Sequence, residues 1–384
     1  MKTTLKSVAA AAAIATFATP AFAGGVNVYD DGDSKLKLEA LFYLNSFQQT
    51  DTRTTAGAAS KTKTTGLNVD RAYFTAKYYM NSDWMMRFTT DVGNEAALGK
   101  DQNVYLKYAY VEGKLAGKAA VLRIGQSHTP WIDYEQGLWK HRYVAKVMSD
   151  QYKFDTSADL GFGLKGKVLD GVVDYFVTAT NGTGYGKGNP TTGHNGIDYN
   201  SRIGIHPIDG LDIDFQLMQG FKGTKRSVAN VATAGVKSTL MQAMVSYGTK
   251  DFRIGGNYLT NTDKANSATA SSTHGGNASA AFATAVAGDE VKSTGYSLWG
   301  WTKLGGGFGA FGRVESLQNK FSTGGVANIN KEKITRLVGG IEYSPVKNVT
   351  ISAVFDTTKL NNRGGLATVQ DKDDRIGIYT QVKL

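Results

Sequence analysis

The 384-residue chain contains no cysteine. That excludes a disulfide framework, a thiolate metal site and a lipid attached through sulfur, so only packing and strand pairing can hold the fold. Proline is nearly as scarce, with five residues in all. Long stretches therefore keep every backbone N–H available for pairing. No run of about 20 apolar residues follows the N-terminal segment, which excludes a membrane protein built from helices. The sequence also lacks Walker and EF-hand patterns, and its histidines (128, 141, 194, 206 and 274) show no i, i+4 spacing for a helical zinc site. Neither a metal nor a cofactor is expected.

What is abundant suits strands and tight turns: 46 glycines, 19 tyrosines and 11% aromatic residues overall. Residues 1–23 read as a secretory signal, with Lys2 and Lys6, an apolar run from Val8 to Ala18, and the A-x-A pattern Ala21-Phe22-Ala23. Cleavage after Ala23 would leave 24–384 as one domain. It would also remove two of the lysines, taking the formal charge from +10 to +8. An exported basic chain points to anions as partners and away from nucleic acid.

From Ser34 the chain alternates. Leu36, Leu38, Ala40, Phe42 and Leu44 share one face, and Lys35, Lys37, Glu39, Tyr43 and Asn45 the other, with Leu41 the one exception. Such a period of two marks a strand with one apolar and one wet face. The pattern returns until about sixteen segments are counted, the last at 374–384. Their connections alternate between short (81–82, 116–118, 169–171, 207–210, 249–250, 305–306, 345–347) and long (49–66, 93–102, 127–156, 181–196, 221–236, 263–290, 321–331, 361–373). The fold class expected is all-β: a transmembrane antiparallel β-barrel of about 16 strands, with short periplasmic turns, long extracellular loops and both termini periplasmic. A mean hydropathy of −0.28 is compatible, because only every second residue of such a strand meets lipid. Pro130, Pro190, Pro207 and Pro345 all fall in expected connections. Tyr78, Trp84, Tyr105, Tyr152, Tyr199, Trp299, Trp301, Tyr343 and Tyr379, near strand ends, are candidates for two aromatic girdles.

The last strand places Ile376, Ile378, Thr380, Val382 and Leu384 on one face, as the closing strand of an outer-membrane barrel does. With the signal, the strand count and the long third connection, the chain resembles the trimeric sixteen-stranded porins of the Gram-negative outer membrane. Val69-Asp70-Arg71-Ala72-Tyr73-Phe74, Ser82-Asp83-Trp84 and Arg123-Ile124-Gly125-Gln126 are similar to the phosphate-selective porin group. The resemblance implies a homotrimer among outer-membrane lipids, passing small hydrophilic solutes. It also implies that the third connection folds into the channel and narrows it.

Apolar faces turned to lipid leave Arg71, Lys77, Arg87, Lys107 and Arg123 lining the pore on consecutive strands, with Arg202, Arg253, Arg313 and Arg336 on later ones. The connection 127–156 carries Asp133, Glu135, Lys140, His141, Arg142 and Lys146, with Trp131, Leu138 and Trp139 available for packing on the wall. Two channel functions fit: unselective diffusion, and an anion channel for phosphate or another oxyanion using Arg71, Arg87 and Arg123. Inward acids such as Asp91, Asp214 and Glu342 dilute the basic field. A structural or adhesive barrel with a plugged lumen would need bulky apolar inward positions. No catalytic residues are expected: Gly161-Phe162-Gly163-Leu164-Lys165-Gly166 matches G-x-G-x-x-G, but within a strand pattern and without a following helix.

Overall fold

Sixteen long strands pair antiparallel, each with its sequence neighbour, and the last returns to the first (Fold registers run from Thr55 opposite Val369 to Leu41 opposite Lys383). The computed structural model describes residues 25–93, 103–185, 197–221, 236–265, 290–323, 326–327, 331–362 and 369–384. The expected signal, 1–23, lies outside them. The first eight strands are β1 (Lys35–Thr55), β2 (Ala58–Tyr79), β3 (Trp84–Gly93), β4 (Asn103–Ala116), β5 (Ala120–His128), β6 (Ala158–Val168), β7 (Val173–Thr180) and β8 (Asp198–Ile205). The second eight are β9 (Leu211–Gly220), β10 (Val236–Gly248), β11 (Phe252–Ala265), β12 (Glu290–Gly305), β13 (Phe308–Thr323), β14 (Glu332–Val346), β15 (Val349–Asn361) and β16 (Val369–Lys383). Closure leaves no edge in the wall and satisfies the ladder without water.

A short strand, Val26–Asp30, pairs with Lys35–Leu38 at the place where β16 runs out. The Leu384 N–H donates to the Ala40 carbonyl, and Val26 then faces Leu38, so Leu384 and the short strand contribute to one line of the wall.

Burial is the reverse of a water-soluble protein's. Phe74, Phe88, Ile124, Phe162, Phe215, Ile254, Leu298, Ile341 and Ile376 are exposed, whereas Thr89, Asp91, Lys107, Asn261, Ser297 and Glu315 are buried inside. An apolar belt around a polar interior is what a bilayer requires of a barrel. No helix among the described residues is long and apolar enough to cross a membrane. Where Gly113 lies opposite Trp84, the indole covers it so closely that a Cβ would stand 2.5 Å from the ring, leaving glycine as the residue that fits.

The structure corrects several sequence expectations. Residues 49–66 are not a loop: β1 and β2 continue as a hairpin to a turn at Ala56-Gly57, both at positive φ, as a two-residue hairpin turn needs. The segment is polar on both faces, so alternation could not reveal it. At the other end, β16 begins at Val369, inside the expected loop 361–373. Pro345 lies within β14, at the irregularity between Tyr343 and Val346, a position where its missing N–H is tolerated. Tyr78, Trp84, Tyr199 and Tyr343 face outward, but Tyr105 turns inward, and Tyr152, Trp299, Trp301 and Tyr379 are buried inside the barrel. Those five are not girdle residues; most of them hold the third loop.

Candidate channel and its constriction

The segment between β5 and β6 folds into the barrel. Its neck is closed by Thr129, whose N–H reaches the Ser157 carbonyl at 3.3 Å and whose hydroxyl reaches the Thr156 carbonyl. A helix α1 (Ile132–Trp139) ends at Lys140, which takes a left-handed conformation and donates its N–H to Gln136 O. A single turn, α2 (Met148–Gln151), follows.

One face of this loop is apolar and fits apolar inward positions on the far wall. Trp131, Ile132, Trp139, Tyr143, Ala145 and Val147 pack with Met244 on β10, Trp299 and Trp301 on β12, Phe311 on β13, and Val338 and Val354 on β14 and β15. Met148, Tyr152 and Phe154 continue the contact onto Met218, Leu240, Leu259, Leu317, Ile334 and Leu360. The exception in the β1 alternation, Leu41, packs against the first of these clusters. Polar groups fix the register. Trp301 donates to Leu138 O at 2.9 Å, Arg313 to Lys146 O at 2.6 Å, and Arg202 to Pro130 O at 3.1 Å. His141 meets Glu342 at 3.0 Å, and Tyr143 meets Ser352 at 2.6 Å.

Because the loop covers the β9–β15 wall, open space remains on the β1–β5 side and along β16. Two cavities occupy it. The one toward the long connections, about 440 Å³, is lined by Asp70, Arg71, Arg142, Lys146, Arg336, Asp356, Asp373 and Arg375, among others. The one toward the short turns, about 610 Å³, is lined by Tyr73, Arg87, Tyr108, His128, Asp133, Lys140, His141, Arg142, Lys303, Glu342 and Lys383, among others. Tyr43, Arg142 and Tyr143 line both, and mark the narrowing between them.

Cations outnumber carboxylates in both cavities, and their pairing is uneven. Arg71 is tied to the fully buried Asp91 at 2.6 Å. A bulge between Tyr43 and Leu44 in the β1–β2 register puts Asp70 and Arg71 side by side in the same cavity. Arg87, by contrast, has no carboxylate within ion-pair distance among the described residues; it bonds Thr89 and lies over the Tyr108 ring. Arg142 reaches Asp150 at 3.5 Å. Burial opposes ionisation of Asp150, but Lys146 and Arg142 more than offset it and hold the carboxyl below its ordinary range. Asp133 sits near His128 at 3.4 Å and accepts from the Tyr108 hydroxyl at 3.1 Å; burial raises its carboxyl.

Of the pore-lining candidates, Arg71 and Arg87 border the cavities. Lys107 is buried against Ser157 and the Tyr185 ring, Arg123 is held by Glu112 at 2.6 Å, and Lys77 by Glu39 at 2.8 Å. Of the loop candidates, Asp133, Lys140, His141, Arg142 and Lys146 border the cavities. Glu135 does not. It faces the wall, fully buried, accepting from the Trp131 indole at 2.7 Å. Arg313, expected in the open lumen, is buried under the loop with its guanidinium 4.1 Å from the Trp139 ring centre. The sequence reading did not single out Tyr43, Tyr73, Tyr143, Arg375 or Lys383. Parity carried a signal for four of them: Tyr43 lies on the wet face of β1, Tyr73 shares the face of Arg71, and Arg375 and Lys383 share the inward face of β16.

Burial pushes the Glu135 carboxyl up to about 7, with Arg313 opposing. In an undocked loop the carboxyl would ionise near its ordinary 4.5. Below that value both states are protonated and docking carries no cost. As pH rises from about 4.5 to about 7 the undocked state alone loses its proton, so docking weakens by about 3 kcal/mol. Current noise from loop movement should therefore grow from pH 5 to pH 7.5 and stay flat in Glu135→Gln. Equal pH dependence in both channels would refute this assignment.

No protein-family model matches the chain, and no curated protein matches it in sequence. Solved structures do match its shape. The anion-selective porin from Comamonas acidovorans is 11% identical with a TM-score of 0.57, over 92% of this chain and 100% of that one. The outer membrane channel DcaP of Acinetobacter baumannii is 10% identical with a TM-score of 0.57, over 94% and 100%. OmpT of Vibrio cholerae, an outer membrane protein in its trimer form, is 13% identical with a TM-score of 0.54, over 92% and 100%. At such identities the likeness carries the fold: this chain has the sixteen-stranded barrel architecture of outer-membrane porins.

Proposed function

We propose that this porin-fold barrel is a passive outer-membrane channel that carries small hydrophilic solutes and prefers anions. The observation that carries the preference is the narrowing, where Arg142 projects from the loop between two cavities that both hold more cations than carboxylates. Walls of low dielectric focus such a field, which enriches anions locally without binding them tightly. Arg87, Lys140 and Lys383 contribute undiminished charge, since among the described residues no carboxylate lies within ion-pair distance of them. No bond chemistry is part of this reading. A homotrimer is the natural assembly, given the trimer form of a barrel with the same architecture.

The test is the reversal potential of the purified, refolded protein in a planar bilayer under a KCl gradient. Chloride should be preferred at 0.1 M salt, where the Debye length is about 10 Å, and the preference should shrink at 1 M, where it is about 3 Å. A potassium preference at low salt would reject the reading.

A further inference from the structure

Some of the cations that line the cavities lie over aromatic rings. The Arg87 guanidinium lies 4.6 Å from the Tyr108 ring centre, and Lys140 lies 3.7 Å from that of Trp301. At the narrowing three more rings meet. Tyr43 stands edge-on to Tyr73 at 6.5 Å, and 6.2 Å from Tyr143. The Tyr143 hydroxyl is taken by Ser352 and Glu342, whereas those of Tyr43 and Tyr73 bond no partner among the described residues.

Resting on the anion-preferring reading, we infer that the narrowing is a transient site for aromatic carboxylates, with the ring held among Tyr43, Tyr73 and Tyr143 and the carboxylate by Arg87 or Arg142. The geometry supplies both halves of such a solute's needs. A guanidinium without a carboxylate partner accepts the charge through paired N–H donors. Tilted and edge-on tyrosines accept a flat ring in the arrangement that aromatic pairs favour. The two open hydroxyls add donors beside the rings. An inorganic oxyanion would use the guanidinium alone. A neutral sugar would stack on the rings but leave Arg87 without a counter-charge. The contact must stay weak, because conduction requires release on the far side.

The experiment uses the full channel in a bilayer and follows block of the KCl current by benzoate, acetate and benzyl alcohol. Benzoate should half-block at a concentration about three- to tenfold below acetate, in line with a ring–ring contact, and benzyl alcohol should block least. Tyr43→Leu/Tyr73→Leu should abolish the difference between benzoate and acetate, and Tyr43→Phe/Tyr73→Phe should retain most of it. A channel that prefers chloride but is blocked equally by benzoate and acetate overturns this inference alone. So does block by benzyl alcohol equal to that by benzoate, or a benzoate preference that survives the leucine pair. Loss of chloride preference in the unmodified channel, read from KCl alone, overturns the charge reading beneath it.

Discussion

Replacing Trp139 by alanine will open the channel. The Trp139 side chain is wholly buried, edge-on to Trp299 and Phe311 and beneath the Arg313 guanidinium, and its indole N–H donates to Ala145 O at 3.1 Å, holding the turn that presents Arg142. Removing a buried tryptophan costs about 3 to 5 kcal/mol. The wall strands keep their ladders, so that loss falls on loop docking and lowers the docked-to-undocked ratio roughly a hundred- to several-thousand-fold. Single-channel records should show a larger conductance level, with rapid steps between it and the native one. Trp84→Ala is the comparison, since Trp84 faces outward near a short turn. It should leave conductance unchanged. Native conductance and noise in Trp139→Ala would mean that Trp131, Arg202 and Arg313 hold the loop without it.

The second large effect is on selectivity. Changing Arg87 and Arg142 together to glutamine removes two charges that border the narrowing, one from each side of it. The reversal potential at 0.1 M salt should move toward cations by more than half of the native anion preference, and the difference should fade at 1 M as screening shortens. Changing Arg123 and Arg253 instead removes the same formal charge. Those two are neutralised by Glu112 and Asp212 and border neither cavity, so their loss should shift the potential much less. Equal shifts from the two pairs would mean that the lumen acts as one diffuse field. Arg71 is a poorer choice for this comparison, because Asp91 would be left buried without its partner.

Not every arginine of the inward face has the same work, and parity alone cannot separate them. Arg71, Arg123 and Arg313 all sit on the lumen face of their strands. One borders a cavity while paired to an acid, one is bound to Glu112 below the narrowing, and one is roofed by Trp139. Glu135 and Asp133 are two residues apart on the same helix, yet one faces the wall and the other the channel.

The sequence by itself determined the barrel. A period of two, the scarcity of proline within strands and the rhythm of short and long connections are local properties, and each strand declares its two faces through its own residues. The hairpin at Ala56-Gly57 escaped because a strand that projects beyond the apolar belt has no need to alternate. Which inward residues meet the solute was decided only by tertiary structure. The loop's docking depends on contacts between segments some 100 to 200 positions apart, such as Trp301 with Leu138 and His141 with Glu342. Those contacts cover one wall and leave the other open, and no periodicity along a single strand records which.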